Sequence, residues 1–236
     1  MKIMTFNIQH CLNYTENVID IDFFAQAIKN YDPDFCGLNE VRGEGPLDGY
    51  SDQTNELADL LGMDRYFGEA IKVNKNSPYG NAIVSKHRII SAQTVKIPDP
   101  IFKIERAGYE SRCVIKAIIE IEEKTICFLV CHMGLAKAER KNAVKTICRL
   151  IDETELPVVL MGDFNAEPED NVLQPLRERL QDTDKFSSAE NNLTYPSDAP
   201  KIKIDYIFYR GLTCKKTTTV SEIFSDHLPI IAEFET

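Results

Sequence analysis

The run Leu156-Pro157-Val158-Val159-Leu160-Met161 constrains this chain more than any other stretch. It is too short for a helix and rich in β-branched residues, so it reads as a buried strand. The chain leaves it through Gly162-Asp163-Phe164-Asn165, where glycine allows a sharp bend and an aspartate and an asparagine two positions apart sit at the strand end. The arrangement recurs. Lys2 to Phe6 ends at Asn7, Phe35-Cys36-Gly37-Leu38 ends at Asn39-Glu40, and Thr125 to Cys131 ends at His132. In open α/β folds ligands bind at the carboxyl ends of strands, so side chains delivered there can serve a metal ion or a phosphoryl oxygen.

The spacing predicts helices between these strands. Ile19, Phe23, Phe24, Ala27 and Ile28 share one face of a helix from Val18 to Asn30, which Asp32-Pro33 stops. A second helix is expected over Asn55 to Leu61, closed by Gly62, and the longest over Ala136 to Glu153, with Arg140, Lys141 and Lys145 on its exposed side. Val172 to Leu180 reads as a short helix. Further strands are expected at Tyr66 to Val73, Ala82 to Ser85, Ile89 to Ile97, Val114 to Ile121, Ile202 to Tyr209 and Ile230 to Phe234. Pro78-Tyr79-Gly80-Asn81 reads as a turn, Glu122-Glu123-Lys124 as a hairpin, and residues 182 to 200 as a polar loop away from any core that borders a site. No linker or repeat interrupts the 236 residues, so residues 1 to 236 are expected to form one domain.

Apolar residues make up 43% of the chain and charged ones 27%, which fits a globular protein. The N-terminus turns polar too soon for a signal peptide, and no apolar run approaches bilayer length, so a cytoplasmic location is expected with no membrane span. The seven cysteines, several inside apolar runs, read as reduced core thiols, and Cys127, Cys131 and His132 as strand residues rather than a zinc site. A net charge of -10 argues against a nonspecific grip on a long polyanion, although carboxylates that bind cations contribute to that count. No obligate protein partner is inferred.

The polar strand ends can now be gathered. Asn7, Glu40, His132, Asp163 and Asn165 are joined by Asp226 and His227, in the turn before the last strand. Singly, each fits a solvated turn or a satisfied local hydrogen bond. Together they form a set of oxygen and imidazole groups without cysteine, which suits a hard, hydrated cation, Mg²⁺ or Mn²⁺. Such a cation leaves positions for a phosphate oxygen, so phosphoryl chemistry is expected. His227 titrates near neutrality and is expected to move a proton. Asp205, flanked by Ile204 and Ile207, is costly to bury unpaired and is available to hold that ring in one tautomer.

In this order, Asn7, Asn39-Glu40-Val41-Arg42, Tyr79-Gly80-Asn81-Ala82, His132, Gly162-Asp163-Phe164-Asn165, Ile204-Asp205-Tyr206 and Ser225-Asp226-His227 resemble the endonuclease/exonuclease/phosphatase superfamily of DNase I and the exonuclease III type AP endonucleases. The resemblance runs from residue 3 to about residue 234. It implies an α/β four-layer sandwich of two mixed β-sheets flanked by helices, with a divalent-metal site at one end. It also implies Asn7, Glu40 and Asp226 as metal-site residues, Asp163 as the residue that orients or deprotonates the attacking water, and Asn165 as the one that steadies the phosphoryl group. His227 oriented by Asp205 is similar to the family's acid/base histidine, and His132 to a second histidine against the phosphate.

The chain also departs from those relatives. Gln9 stands where AP endonucleases carry an Asp, and tryptophan is absent altogether. Asn81, Arg42, Arg112 and Tyr195 are expected to contact substrate, with Arg106, Glu110 and the 182 to 200 loop shaping its choice. The reading is a Mg²⁺- or Mn²⁺-dependent hydrolase of a phosphodiester or phosphomonoester, with DNA or RNA among the candidate substrates. The rival from another class is a relative of the same fold that binds without turnover.

Overall fold

The structure is a computed structural model that describes residues 1–121, 124–188 and 192–235. Strand β1 (Lys2–Asn7) leads into a two-stranded ribbon, β2 (Leu12–Asn13) and β3 (Val18–Ile19), then α1 (Ile21–Tyr31) and β4 (Phe35–Arg42). Helix α2 (Gln53–Leu61) precedes β5 (Asp64–Val73), β6 (Ser77–Ser85), β7 (Ile89–Lys96), β8 (Cys113–Ile121) and β9 (Lys124–Cys131). Helix α3 (Lys137–Asp152) crosses over to β10 (Val158–Asp163). The one-turn α4 (Gln174–Arg177), β11 (Gln181–Asp182), β12 (Asp205–Arg210), β13 (Cys214–Thr219) and β14 (Ile230–Phe234) complete the order.

Two mixed sheets result, in the orders β13-β14-β1-β4-β6-β5 and β11-β12-β10-β9-β8-β7. Each has one parallel pair near its centre, β1 with β4 and β9 with β10, and antiparallel partners elsewhere. The parallel pairs are joined by α1 and α3, as a crossover requires. Helix α1 starts where the Asp20 carboxylate accepts from Phe23 N at 2.9 Å, and it stops at Asp32, whose φ of 50° is left-handed.

Side-chain alternation sorts each strand between two cores. Ile3, Phe35, Phe128, Val130, Val159, Met161 and Ile207 face the gap between the sheets. Met4, Phe6, Cys36 and Leu38 face outward to α1 and α2, while Cys127, Leu129, Val158, Leu160 and Phe208 face α3 and α4. The layers are therefore helix, sheet, sheet, helix, as the resemblance implies. The sheets approach closely: Phe35 and Phe128 stack across the gap with ring centroids 4.1 Å apart. At Gly37 a Cβ would fall 2.6 Å from Met161 Sδ, so a larger residue there would force the Met161 and Val130 side chains to shift.

Several sequence expectations are corrected. Gly162 is not in a turn but inside β10, with a φ of 136° and so close to the neighbouring strand that a Cβ would lie 1.9 Å from the Cys131 carbonyl oxygen. Pro78-Tyr79-Gly80-Asn81 is strand, part of β6. The chain reverses instead at Asn74 and Lys75, both at positive φ. Residues 182 to 200 are not slack: Thr183, Thr194 and Ser197 are buried, Ser197 N donates to the Asp226 carbonyl, and Leu228 N donates to the Thr194 carbonyl. Arg140 is not on the exposed side of α3 but buried, donating to the Leu135 carbonyl and to Asp170. Val18 and Ile19 belong to the ribbon, not to α1. Val172 to Leu180 yields only a 3-10 turn and α4, and Ile202 to Ile204 precede the strand that starts at Asp205. Glu122 and Glu123 of the expected hairpin lie outside the described residues, as do 189 to 191 of the polar loop.

Candidate active site

The alternation that fills the gap with apolar side chains continues past them. Along β1 the inward positions run Ile3, Thr5, Asn7, along β4 Phe35, Gly37, Asn39, and along β10 Val159, Met161, Asp163. His132 follows Val130 on the same parity. At one end of the sandwich the core thus changes from aliphatic to polar without leaving the gap. Antiparallel neighbours add their own ends: Asp163 is in register with Asp205 at the start of β12, and Asn39 with Asn81 of β6. Because β14 runs antiparallel to β1, the residues just before it, Asp226 and His227, arrive beside Asn7, where Ser225 Oγ donates to the Asn7 carbonyl at 2.6 Å.

The side chains form one connected network. Asp163 Oδ2 accepts from Asn7 Nδ2 at 3.2 Å and lies 3.4 Å from His132 Nε2 and 3.7 Å from His227 Nε2. Asp163 Oδ1 accepts from Asn165 N at 2.9 Å, and Asp163 N donates to Asn39 Oδ1 at 2.9 Å. His227 Nδ1 meets Asp205 Oδ2 at 2.9 Å, which fixes its ring and turns Nε2 towards Asp163. Glu40 accepts from Asn7 Nδ2 at 3.1 Å and from the Tyr79 hydroxyl at 2.8 Å, on a bulge where its own φ is 60°. Arg112 Nη1 lies 3.2 Å from His132 Nδ1 and 2.7 Å from Glu110 Oε1. His132 Nε2 also lies 3.2 Å from Asn165 Nδ2, which donates to the Met133 carbonyl at 3.0 Å.

Burial and mutual proximity shift these groups strongly. Burial, with the Asp205 carboxylate next to it, pushes Asp163 well above the usual carboxylate range. Burial also raises Asp226. For His132, burial and then the Arg112 and His227 cations push the pKa well below its ordinary value, so the ring is neutral. Burial alone would lower His227 too, but Asp205, its hydrogen bond, Asp163 and Asp226 outweigh that and hold the imidazolium at about 10. The expectation that His227 titrates near neutrality is corrected: among these carboxylates it is charged at pH 7.

A cavity of about 770 Å³ opens over the network, lined by Glu40, Arg112, His132, Asp163, Asn165, Tyr195, Asp226 and His227, and further out by Leu135, Arg140, Glu167, Glu169 and Asp170. A larger groove of about 1030 Å³ lies between α3 and residues 169 to 179, but His132, Asp163 and His227 do not reach it. A hard cation fits the donor set beside Asn7. Glu40 and Asp226 present carboxylates to the cavity, and the Asn7 amide donates Nδ2–H to Glu40 and Asp163 while its Oδ1 accepts from Gln9 N at 3.2 Å. Asp163, Asp205 and His227 also converge within 4.8 Å. There the 2.9 Å hydrogen bond from His227 Nδ1 to Asp205 leaves His227 Nε2 facing Asp163, the arrangement of a carboxylate-imidazole relay.

The structure brings together His227, Asp205, Asp163, Asn165, His132, Glu40, Asn7 and Asp226. Tyr195 and Arg112 flank them, with the Tyr195 ring centroid 4.8 Å from that of His227. Asn81 lies one layer back, accepting from Asn39 and donating to the Cys113 carbonyl. Arg42 turns away: its Nη1 donates to the Gly49 carbonyl and its guanidinium lies 4.6 Å from the Tyr50 ring centroid. From sequence, Asn39 and Tyr79 stand within motifs and Arg140 on the expected exposed face of α3, with no role in the site assigned to any of them. Asn39 shares the inward parity of Phe35 and Gly37, a signal that was available. Tyr79 was hidden by reading Pro78 and Gly80 as a turn, and Arg140 by the lysines beside it.

A sequence profile of the Endonuclease/Exonuclease/phosphatase family matches residues 4–227. A UPF0294 protein of Yersinia pseudotuberculosis is 37% identical over 79 residues, 34% of this chain and 30% of that protein, so the match spans under a third of the relative's length. Among solved structures, an endonuclease/exonuclease/phosphatase family protein from Leptotrichia buccalis superposes with a TM-score of 0.77 at 24% identity, covering 100% of both chains. The mannosyl-6-phosphatase of Bacteroides thetaiotaomicron superposes at 0.79 and 17% identity, again over 100% of each.

Proposed function

The chain belongs to the endonuclease/exonuclease/phosphatase family, and from that premise we propose that it is a divalent-cation-dependent phosphoesterase, hydrolysing a phosphodiester or phosphomonoester by in-line attack of water. The observation that carries this reading is the convergence on one cavity of the Asp205-oriented His227 with Asp163, Asn165 and His132. Asp163, held by Asn7 and by Asn165 N, positions the attacking water and takes its proton. His227 turns a protonated Nε2 into the cavity, where it stabilises charge developing on the phosphoryl oxygens. Asn165 Nδ2 and His132 Nε2, 3.2 Å apart, are the neutral polar groups that face those oxygens. Glu40, Asp226 and Asn7 would hold Mg²⁺ or Mn²⁺, which supplies Lewis-acid polarisation of the phosphoryl group.

Arg112 and Tyr195, at the cavity wall, are placed to meet the substrate. Glu167, Glu169 and Asp170 on the outer wall favour a compact phosphate ester over a long polyanion such as nucleic acid. That a protein of like fold is a mannosyl-6-phosphatase keeps phosphomonoesters within the reading. A cytoplasmic location is part of the same proposal, supported by seven buried, unpaired thiols that a reducing compartment preserves.

The direct test is release of nitrophenol from bis(p-nitrophenyl) phosphate in Mg²⁺ or Mn²⁺. His227→Asn is expected to lower kcat by roughly 10²- to 10⁴-fold. Asp205→Asn, which acts through His227, should lower kcat with KM unchanged. Undiminished turnover by the His227 variant would remove that residue from the mechanism.

A further inference from the structure

The loop between β7 and β8 carries three large apolar side chains in solvent: Ile101 is 91% exposed, Phe102 74% and Ile104 86%. Water would normally fold such a tip back onto the protein, but the base of the loop is pinned. The Glu105 carboxylate accepts from Lys137 N and Ala138 N at the start of α3, Glu105 N donates to the Tyr109 hydroxyl, and Glu110 N donates to Glu139 Oε1. Ser111 closes the base by donating to Asp99. The base of the loop is thus fixed while the tip stands in solvent.

The hollow beneath the tip holds Asp99 and Glu105, tied by hydrogen bonds to Ser111 and to the start of α3 respectively, while a row of lysines runs along α3 beside it, in a chain of net charge -10. Lys137 and Lys141 border the hollow beneath the tip, and Lys145 continues their line one turn further along α3. All three are exposed, and among the described residues none is in an ion pair. The loop also leads to the candidate active site: a Cβ on Gly108 would lie 3.9 Å from Leu135, a 53% exposed leucine at the outer wall of the catalytic cavity, and Arg112 at the loop's end lines that cavity.

We propose that this face docks onto an anionic lipid bilayer, with Ile101, Phe102 and Ile104 entering the interface and the Lys137, Lys141, Lys145 ridge meeting the headgroup charge. Apolar side chains beside a lysine row are the combination an anionic membrane surface selects. A single-stranded nucleic acid would call for exposed aromatic platforms, and two of the three tip residues are isoleucines. The attachment is peripheral, since among the described residues no helix is long and apolar enough to cross a membrane. Leu135 and Arg112 connect this face to the rim of the catalytic cavity. Its use on lipid phosphate esters there rests on the hydrolase reading above; the docking itself does not.

The test is sedimentation of the whole protein with vesicles in EDTA, which removes cation bridging and turnover. The parent is expected to pellet with phosphatidylglycerol-containing vesicles and to stay in solution with pure phosphatidylcholine. Combined Ile101→Ser, Phe102→Ser and Ile104→Ser should cut partitioning by at least about tenfold. Combined Lys137→Gln, Lys141→Gln and Lys145→Gln should remove the preference for acidic lipid and its salt sensitivity. Both variants should melt as the parent does and should match it on a soluble nitrophenyl diester. The proposal is overturned if the parent ignores acidic vesicles, if the serine variant pellets as well as the parent, or if the lysine ridge binds an oligonucleotide in place of lipid. It is equally overturned if the tip only joins two copies of the chain, seen as a dimer that the serine variant loses. Failure to hydrolyse the diester would count against the phosphoesterase reading and leave the vesicle result standing.

Discussion

His132 and His227 lie in one network and are driven in opposite directions: burial, then the Arg112 and His227 cations, lower His132, whereas at His227 the lowering by burial is outweighed by Asp205, Asp163 and Asp226. His132 is therefore buried neutral, with its folded pKa below that of the unfolded chain, about 6.5. The stability this state confers is present above pH 6.5 and declines as pH falls through that value, because the unfolded chain takes up a proton that the folded chain refuses. The slope approaches about 1.4 kcal/mol per pH unit for one such proton. His132→Gln should accordingly flatten the acid limb of stability between pH 6.5 and 4.5, measured by urea unfolding with chelator present; an unchanged limb would mean that His132 is protonated in the fold. At this scale the sequence was most informative where a residue type is expensive to bury. Asp205 between Ile204 and Ile207 required a partner, and His227 is that partner. It was least informative about direction. Nothing in the residues around Arg42 indicates that its guanidinium lies over Tyr50 instead of entering the cavity, because a long side chain on a bulged strand end is steered by loops far away in sequence.

At the scale of elements, the site exists because the strands keep their alternation for one residue beyond the apolar core. Gly162 is the position where this can be tested most sharply. A Cβ there meets the backbone of β9, which cannot yield without breaking the parallel β9–β10 pairing that sets Asp163 beside His132. Gly162→Ala should cost about 3 kcal/mol or more. At Gly62, which has a φ of 67° but nothing within 4 Å, the same change should cost only about 1 kcal/mol. Thermal or urea melts of the two variants compare them, and equal losses would show that the close approach of the two strands is not limiting. The strands and helices with strong periodicity were readable: α1 with its Asp32-Pro33 stop, α3 with Ala143, Ile147, Leu150 and Ile151 buried, and β10. Where proline and glycine suggested turns the reading failed, since Gly80 and Gly162 serve close strand contacts and not chain reversal. The 182 to 200 segment misled because polar residues within it bond to protein: Ser197 Oγ donates to the Ser225 carbonyl, and Thr194 Oγ1 accepts from Ile204 N and Asp205 N.

For the whole molecule, periodicity alone indicates only a mixed α/β chain. The pairing of two sheets through a shared apolar gap is a matter of long-range register, and it entered through the order of the motifs and the family they resemble. The structure supplies the physical reason for that order: parallel centres and antiparallel flanks bring strand ends and strand starts to one edge of the sandwich, so residues as distant as Asn7 and Ser225 touch. The central claim is that the polar edge of the gap is a cation-dependent hydrolytic centre. Its most direct test is a Mg²⁺ titration of diester hydrolysis by the EDTA-stripped parent and by Glu40→Gln. The account predicts no turnover without added cation, and a requirement at least about tenfold higher in the variant. Turnover indifferent to chelation, or a Glu40→Gln enzyme saturated by the same Mg²⁺ as the parent, would contradict it.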